Sequence, residues 1–317
     1  MVSIRLKRLL NQSRILPLCF TIFFLFGCGA NSKMNDNLKN FQFTCTQEKD
    51  RFPPFDPEAD AWFKEARRLE KQKGQKDYTR IEALYRQAAM KDHVKAMGNL
   101  QALIAAGKVA PQAGQFRQQE VIDLVERLIK MDIPFGYFIM GTYLQQGYGV
   151  EQDSEAAFQY MLKAAVMGNP DAQYVIGLRF MDSTKPQSYR LDLAESMLAC
   201  AAEQGYAKAA YTLGISYKNQ GNYSQALYFY QKAAEYGYQK SAYRLSNVFN
   251  TNDPNNELYY LGQQIDPERV KRYQKIHEEL DNNPYAKFPD INKIVPLPPA
   301  ELPEWDGTFE YQKESND

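Results

Sequence analysis

Between residues 60 and 250 apolar side chains recur every three or four positions, in blocks of about a dozen residues divided by short polar or glycine-bearing breaks. This spacing predicts amphipathic helices, because strands would alternate apolar and polar positions. A first helix is expected over 60–71, with Trp62, Phe63, Ala66 and Leu69 on one side, and its partner over 78–90, with Ile81, Leu84, Tyr85 and Ala88. A second pair spans 94–106 and 120–130, the latter supplying Val121, Leu124, Val125 and Leu128. The third spans 135–145 and 154–167, and Ala156, Tyr160, Ala164 and Ala165 are expected to face inward. Two further units follow at 171–205 and 207–237. Ordered structure is expected to open near Pro57.

The blocks share a register. Lys163-Ala-Ala-Val-Met-Gly168, Cys200-Ala-Ala-Glu-Gln-Gly205 and Lys232-Ala-Ala-Glu-Tyr-Gly237 are separated by 37 and 32 residues, and stepping back by 36 and 40 reaches Ile129 and Ala89. A second series moves with it: Gly141 in Tyr137-Phe-Ile-Met-Gly-Thr-Tyr143, Gly177 in Tyr174-Val-Ile-Gly, Gly214 in Tyr211-Thr-Leu-Gly and Ser246 in Tyr243-Arg-Leu-Ser, at steps of 36, 37 and 32. A period of this size belongs to a solenoid. Small residues where helices cross let the backbones approach, which offsets the propensity cost of a mid-helix glycine, about 1 kcal/mol. The expected fold is all-α, a right-handed α-solenoid of helix pairs. The pair at 94–130 lacks the Ala-Ala mark and reads as a degenerate repeat or a cap.

From Asp253 the pattern changes. Asp266-Pro-Glu268 caps a helix running to Leu280, and Asn282-Asn-Pro284 ends it. Residues 287–305 hold five prolines and read as an extended C-terminal arm anchored through Ile291, Ile294, Val295, Leu297, Leu302 and Trp305. The chain thus divides into 1–27, 28–56, 57–133, 134–250 and 251–317.

Composition narrows the compartment and the chemistry. Arg5, Lys7, Arg8 and Arg14 precede an apolar stretch, Ile15 to Phe26, too short for a comfortable membrane span. It ends Leu25-Phe26-Gly27-Cys28, which resembles the lipobox of bacterial lipoproteins, and this implies cleavage before Cys28, lipidation of its thiol and attachment to a membrane through that anchor. Gly29 in place of aspartate implies the outer membrane, and the polar residues 29–40 read as a tether. Lys and Arg total 38, as do Asp and Glu. Removing 1–27 takes away four basic residues and no acidic one, leaving 34 against 38 and a net charge near −4. With no basic surplus to release counterions, nucleic acid is excluded as a partner.

Cys45 and Cys200 are the remaining cysteines of the exported chain. An oxidising compartment allows a bridge between them, while the apolar run Met197 to Ala202 suits a buried free thiol equally well. His93 and His277 are isolated, no cysteine pair has metal-ligand spacing, and no Gly-x-Ser-x-Gly elbow occurs. Both histidines are expected in polar helix contexts. Neither a cofactor, a metal, a small-molecule substrate nor an enzymatic activity is expected.

The residues Tyr143-Leu-Gln-Gln-Gly-Tyr-Gly-Val150, Asp153, Ala157, Tyr160, Lys163-Ala-Ala165, Gly168 and Asp171-Ala172 resemble the Sel1-like repeat, a relative of the tetratricopeptide repeat. Unit 134–168 departs from the pattern at Ala156, Phe158 and Gln159. Unit 171–205 lacks the Gly-x-Gly-Val turn, and 207–237 replaces it with Gly221-Asn-Tyr223. The resemblance covers 134–249 well and 60–133 weakly, and implies fold more than function. A narrower likeness rests on Phe43-Thr-Cys45 and on Leu297 to Gly307: lipid-anchored Sel1-like proteins with these segments resemble periplasmic immunity proteins paired with phospholipase effectors of type VI secretion. It implies a cognate phospholipase effector as partner. A general periplasmic scaffold for envelope protein assembly stays open beside it. Loops 145–153, 182–189 and 219–223 are expected along one edge, and Tyr148, Tyr189, Tyr223, Tyr236 and Tyr238 are the candidate partner-binding residues.

Overall fold

A computed structural model of the protein describes residues 41–314. The segment 1–40, with the expected signal sequence and the lipidation candidate Cys28, lies outside the described residues. Among the described residues there are fourteen α-helices and no strands. Six antiparallel pairs follow one another: α1 (Pro57–Lys71) with α2 (Tyr78–Met90), α3 (Val94–Ala105) with α4 (Arg117–Lys130), and α5 (Pro134–Gln146) with α6 (Ser154–Val166). Then come α7 (Pro170–Met181) with α8 (Leu191–Glu203), α9 (Ala207–Asn219) with α10 (Tyr223–Glu235), and α11 (Gln239–Val248) with α12 (Pro267–Asn282). Each helix packs on its predecessor and its successor, which makes the described chain an α-solenoid.

The helix ends explain the repeat mark. Asp56, Asp77, Asp153, Asn169, Asn222 and Asp266 accept backbone N–H groups at the starts of their helices, and proline opens α1, α5, α7 and α12. At the far end of α6, Gly168 takes φ +105°, its N–H donates to Ala165 O at 3.1 Å, and the N–H of Asn169 donates to Ala164 O at 2.9 Å. This Schellman closure recurs after α8 and α10 at Gly205 and Gly237. It recurs after α2 and α4 as well, where Asp92 and Asp132 hold the left-handed position at φ 56°. The five positions step by 40, 36, 37 and 32 residues. The pair α3–α4 is therefore a degenerate repeat: aspartate, which tolerates left-handed backbone better than most residues, replaces glycine.

The second series marks the crossing of each pair. A Cβ on Gly141 would lie 2.8 Å from Met161 Cγ and 2.9 Å from Ala157 O, and one on Gly214 would lie 2.5 Å from the Tyr230 ring. The deepest positions of α6 are accordingly Ala157, Phe158, Met161, Ala164 and Ala165. Ala156 and Tyr160 are half-buried, so the inward face is turned from the expected one.

The C-terminal arm is docked. Ile291, Ile294, Val295 and Phe309 are buried, with α13 (Ile291–Ile294) as a single turn and α14 (Glu310–Glu314) at the end. Two buried arginines of α12 bind its carbonyls: Arg272 donates to Ile294 O, and Arg269 to Pro296 O and Ala300 O. The Phe288 N–H donates to Glu235 O at 2.8 Å, and Gly237 meets Ala286 O so closely that no side chain fits there.

Candidate protein-binding surface

Residues 42–56, which precede the expected opening of ordered structure near Pro57, form a strap. The chain crosses the starts of successive first helices, and its side chains seat between elements far away in sequence. Phe55 stacks on His93 with ring centroids 4.3 Å apart, and Phe63 of α1 stacks on the other face at 4.6 Å. Phe52 meets Phe135 of α5 edge-on at 6.2 Å. The 3-10 turn Glu48–Arg51 follows the same line: Arg51 pairs with Asp132 at 3.6 Å, and Glu48 accepts from Asn169 Nδ2 at 2.9 Å. Thr46 Oγ1 donates to Val166 O at 2.7 Å, and Gln173 Nε2 donates to Thr46 O. Cys45 is disulfide-bonded to Cys200 of α8, the Cα atoms 5.5 Å apart. The strap also accounts for Gly168, whose Cβ would lie 2.7 Å from Gln47 C.

Burial sets the electrostatics of this strip. Glu48 is pushed up to about 7, chiefly by desolvation and further by Asp171, while its Asn169 bond and Lys95 act in the opposite sense. His93 is buried rather than polar in its surroundings. Its Nδ1 accepts the Ala96 N–H at 3.2 Å, which places its proton on Nε2, 3.5 Å from the Asp60 carboxylate. Desolvation holds its pKa below the ordinary histidine value. A cavity of about 370 Å³ lies between strap and helices, lined by Glu48, Phe52, Phe63, Lys95, Asn99 and Phe135 among others.

Of the tyrosines expected at the binding edge, Tyr189 is 40 % exposed. The other four are half-buried and packed: Tyr148 against Tyr143 at 4.8 Å, Tyr223 edge-on to Tyr260, Tyr236 under Lys232, and Tyr238 against Tyr211 at 5.0 Å. A different set is aligned by the repeat. Phe138, Tyr174, Tyr211 and Tyr243 each stand three residues before the small residue that seats the second helix, so they share one face of α5, α7, α9 and α11. Tyr243 is 50 % exposed, and Tyr174 and Tyr211 are half-buried. Tyr206, the residue after Gly205, packs against Tyr174 with the rings tilted and their centroids 5.2 Å apart. Arg244 donates from Nε to Tyr211 Oη at 3.0 Å and from Nη1 to Leu258 O at 2.9 Å. The signal for this row in the sequence is the aromatic that stands three positions before each small residue of the repeat.

Among the described residues no group of three His, Cys, Asp or Glu is arranged to hold a metal, and no helix is long and apolar enough to cross a membrane. His277 stands 4.0 Å from Asp281.

The stacked pairs and the repeat define a Sel1-repeat protein. The Sel1 repeat model matches residues 134–169, 170–206 and 207–238, and a domain of unknown function, DUF6396, matches 241–317. Three solved structures from Pseudomonas aeruginosa are similar over 81 % of this chain. They are immunity protein PA5088 (32 % identity, 94 % of that chain, TM-score 0.66), immunity protein Pa5087 (33 %, 95 %, 0.64) and PA5086 (34 %, 95 %, 0.63). The chain belongs to the same family of Sel1-repeat proteins. No curated protein matches it.

Proposed function

We propose that this protein is an immunity protein: a periplasmic, lipid-anchored solenoid that binds and neutralises a cognate phospholipase effector delivered by type VI secretion. The observation that carries the reading is the 32–33 % identity, over 81 % of the chain, to two structures named as immunity proteins. A disulfide between Cys45 and Cys200 supports an oxidising compartment. The phospholipase and the secretion route rest on the resemblance of the segments around Phe43-Thr-Cys45 and Leu297 to Gly307. Both segments are fastened to the solenoid, one through the Cys200 bond and one beneath Arg269. Neutralisation proceeds by covering the substrate entrance or a mobile lid of the enzyme, with no turnover by the solenoid itself.

The decisive experiment sends the product of a neighbouring lipase gene to the periplasm with and without this protein. Restored growth and co-purification are expected. Equal killing in both strains, or no co-purification, overturns the immunity reading.

A further inference from the structure

The first helices of the last pairs are electrically lopsided. Helices α7, α9 and α11 carry one acidic residue, Asp171, against Arg179, Lys208, Lys218, Lys240 and Arg244. The facing helices α8 and α10 reverse this, with Asp192, Glu195, Glu203 and Glu235 against Lys232. Asp171 is occupied by a hydrogen bond from Tyr206. Among the described residues Lys208, Lys240 and Arg244 form no salt bridge, although the charge of Lys208 acts on Asp171, and the acceptors of Arg244 are a phenol and a backbone carbonyl, both neutral. Lys208 lies one turn before Tyr211, and Lys240 one turn before Arg244, so these cations border the aromatic row. The strap is fastened at Val166 of α6 and at Cys200 of α8.

Tyrosine presents a large rigid contact area, and an arginine set among rings orders a carboxylate well. Cations held in no salt bridge around such a row complement negative charge on the docking partner. We propose that the face centred on Tyr211, Tyr243 and Arg244 is where the effector docks, and that it takes an acidic segment of that enzyme. Carboxylates meet Lys208, Lys240 and Arg244, while apolar side chains lie on the tyrosine rings. The proposal rests on the immunity reading and specifies its contact chemistry.

The test measures binding of the catalytically inactivated neighbouring lipase to the full mature chain in detergent, at low and high salt. Lys208→Glu combined with Lys240→Glu is expected to weaken binding by at least about tenfold at low salt and to remove most of its salt dependence. Tyr243→Ser is expected to weaken it comparably. Lys73→Glu with Lys130→Glu, equal in charge but elsewhere on the solenoid, is expected to leave affinity within about twofold of the unaltered chain. Both lysines of the tested pair are exposed, so circular dichroism and melting should be unchanged. Equal affinity in all variants overturns the docking face and leaves the immunity reading standing. No binding by the unaltered chain overturns both. A salt-sensitive dimer of this chain, abolished by the Lys208/Lys240 reversal while lipase binding persists, assigns the face to a second copy and also overturns the proposal.

Discussion

Cys45 and Cys200 are 155 positions apart, yet their Cα atoms lie 5.5 Å from each other across a disulfide. The bond closes a loop that contains the first three helix pairs and most of the fourth, and it holds the strap against the turns it crosses. Cross-linking a loop of this length restricts the unfolded chain, with a typical effect of about 2–4 kcal/mol. Cys45→Ser with Cys200→Ser, or reduction of the unaltered chain, is therefore expected to lower the melting temperature and expose Arg51 to trypsin. An unchanged melting curve under reductant would refute this role.

Gly214 and Gly177 occupy the same repeat position but differ in what faces them. A methyl at 214 would press on the fully buried Tyr230 ring at 2.5 Å, whereas one at 177 would meet the Leu198 side chain at 3.1 Å. Gly214→Ala is expected to destabilise by about 1–3 kcal/mol through overpacking. Gly177→Ala is expected to be close to neutral, because the helix-propensity gain of about 1 kcal/mol offsets a small shift of leucine. Chemical denaturation of the two variants tests the order.

Glu48 and His93 give opposite pH dependences. The folded pKa of Glu48 is raised from 4.5 to about 7, so the folded state binds the extra proton. Its contribution to stability is full below pH 4.5 and declines as pH rises through 7. His93 has a lowered pKa, so its contribution is full above its ordinary value of 6.5 and declines as pH falls. Glu48→Gln keeps a carbonyl for Asn169 and removes the first effect. Its stability relative to the unaltered chain should rise between pH 5 and pH 8, and a constant difference across that range would contradict the assignment.

Arg269 and Arg272 anchor the C-terminal arm by donating to three backbone carbonyls. Truncating Arg272 to alanine leaves the Ile294 carbonyl without that donor and Glu268 without its partner, at a cost of about 1–3 kcal/mol. Faster tryptic cleavage at Lys287 and Lys293 is expected, with the central repeats still protected.

Cys28→Ser is expected to move the protein from the membrane fraction to the soluble fraction while the far-ultraviolet circular dichroism stays helical. Retention in membranes would mean that a second attachment exists.

The repeat was legible in the sequence because its marks are local. The residue closing each second helix must adopt left-handed backbone, which selects Gly168, Gly205 and Gly237 and admits Asp92 and Asp132. The residue where two helices cross must be small, which selects Gly141, Gly177 and Gly214. Each constraint is satisfied within one helix pair, so a period along the chain suffices to find it. Periodicity gave the inward face of α6 less well, because Ala157 and Phe158 are both buried and one residue of rotation changes which side chains point inward.

The strap, the disulfide and the seat of the arm required the tertiary structure. Phe52 and Phe55 show no helical spacing, and their partners Phe135 and His93 sit on other elements. The pairing of Cys45 with Cys200 depends on how the successive turns stack. The choice among tyrosines followed the same rule: Tyr238 and Tyr148 lie in turns and look exposed in sequence, yet Tyr238 packs on Tyr211 of the preceding repeat and Tyr148 on Tyr143 of its own. The sequence by itself determined a stack of helix pairs and its register, since helix ends and crossings obey short-range sterics. Only the tertiary structure decided which faces the strap and the C-terminal arm fill, because for the strap that depends on contacts between residues more than 100 positions apart.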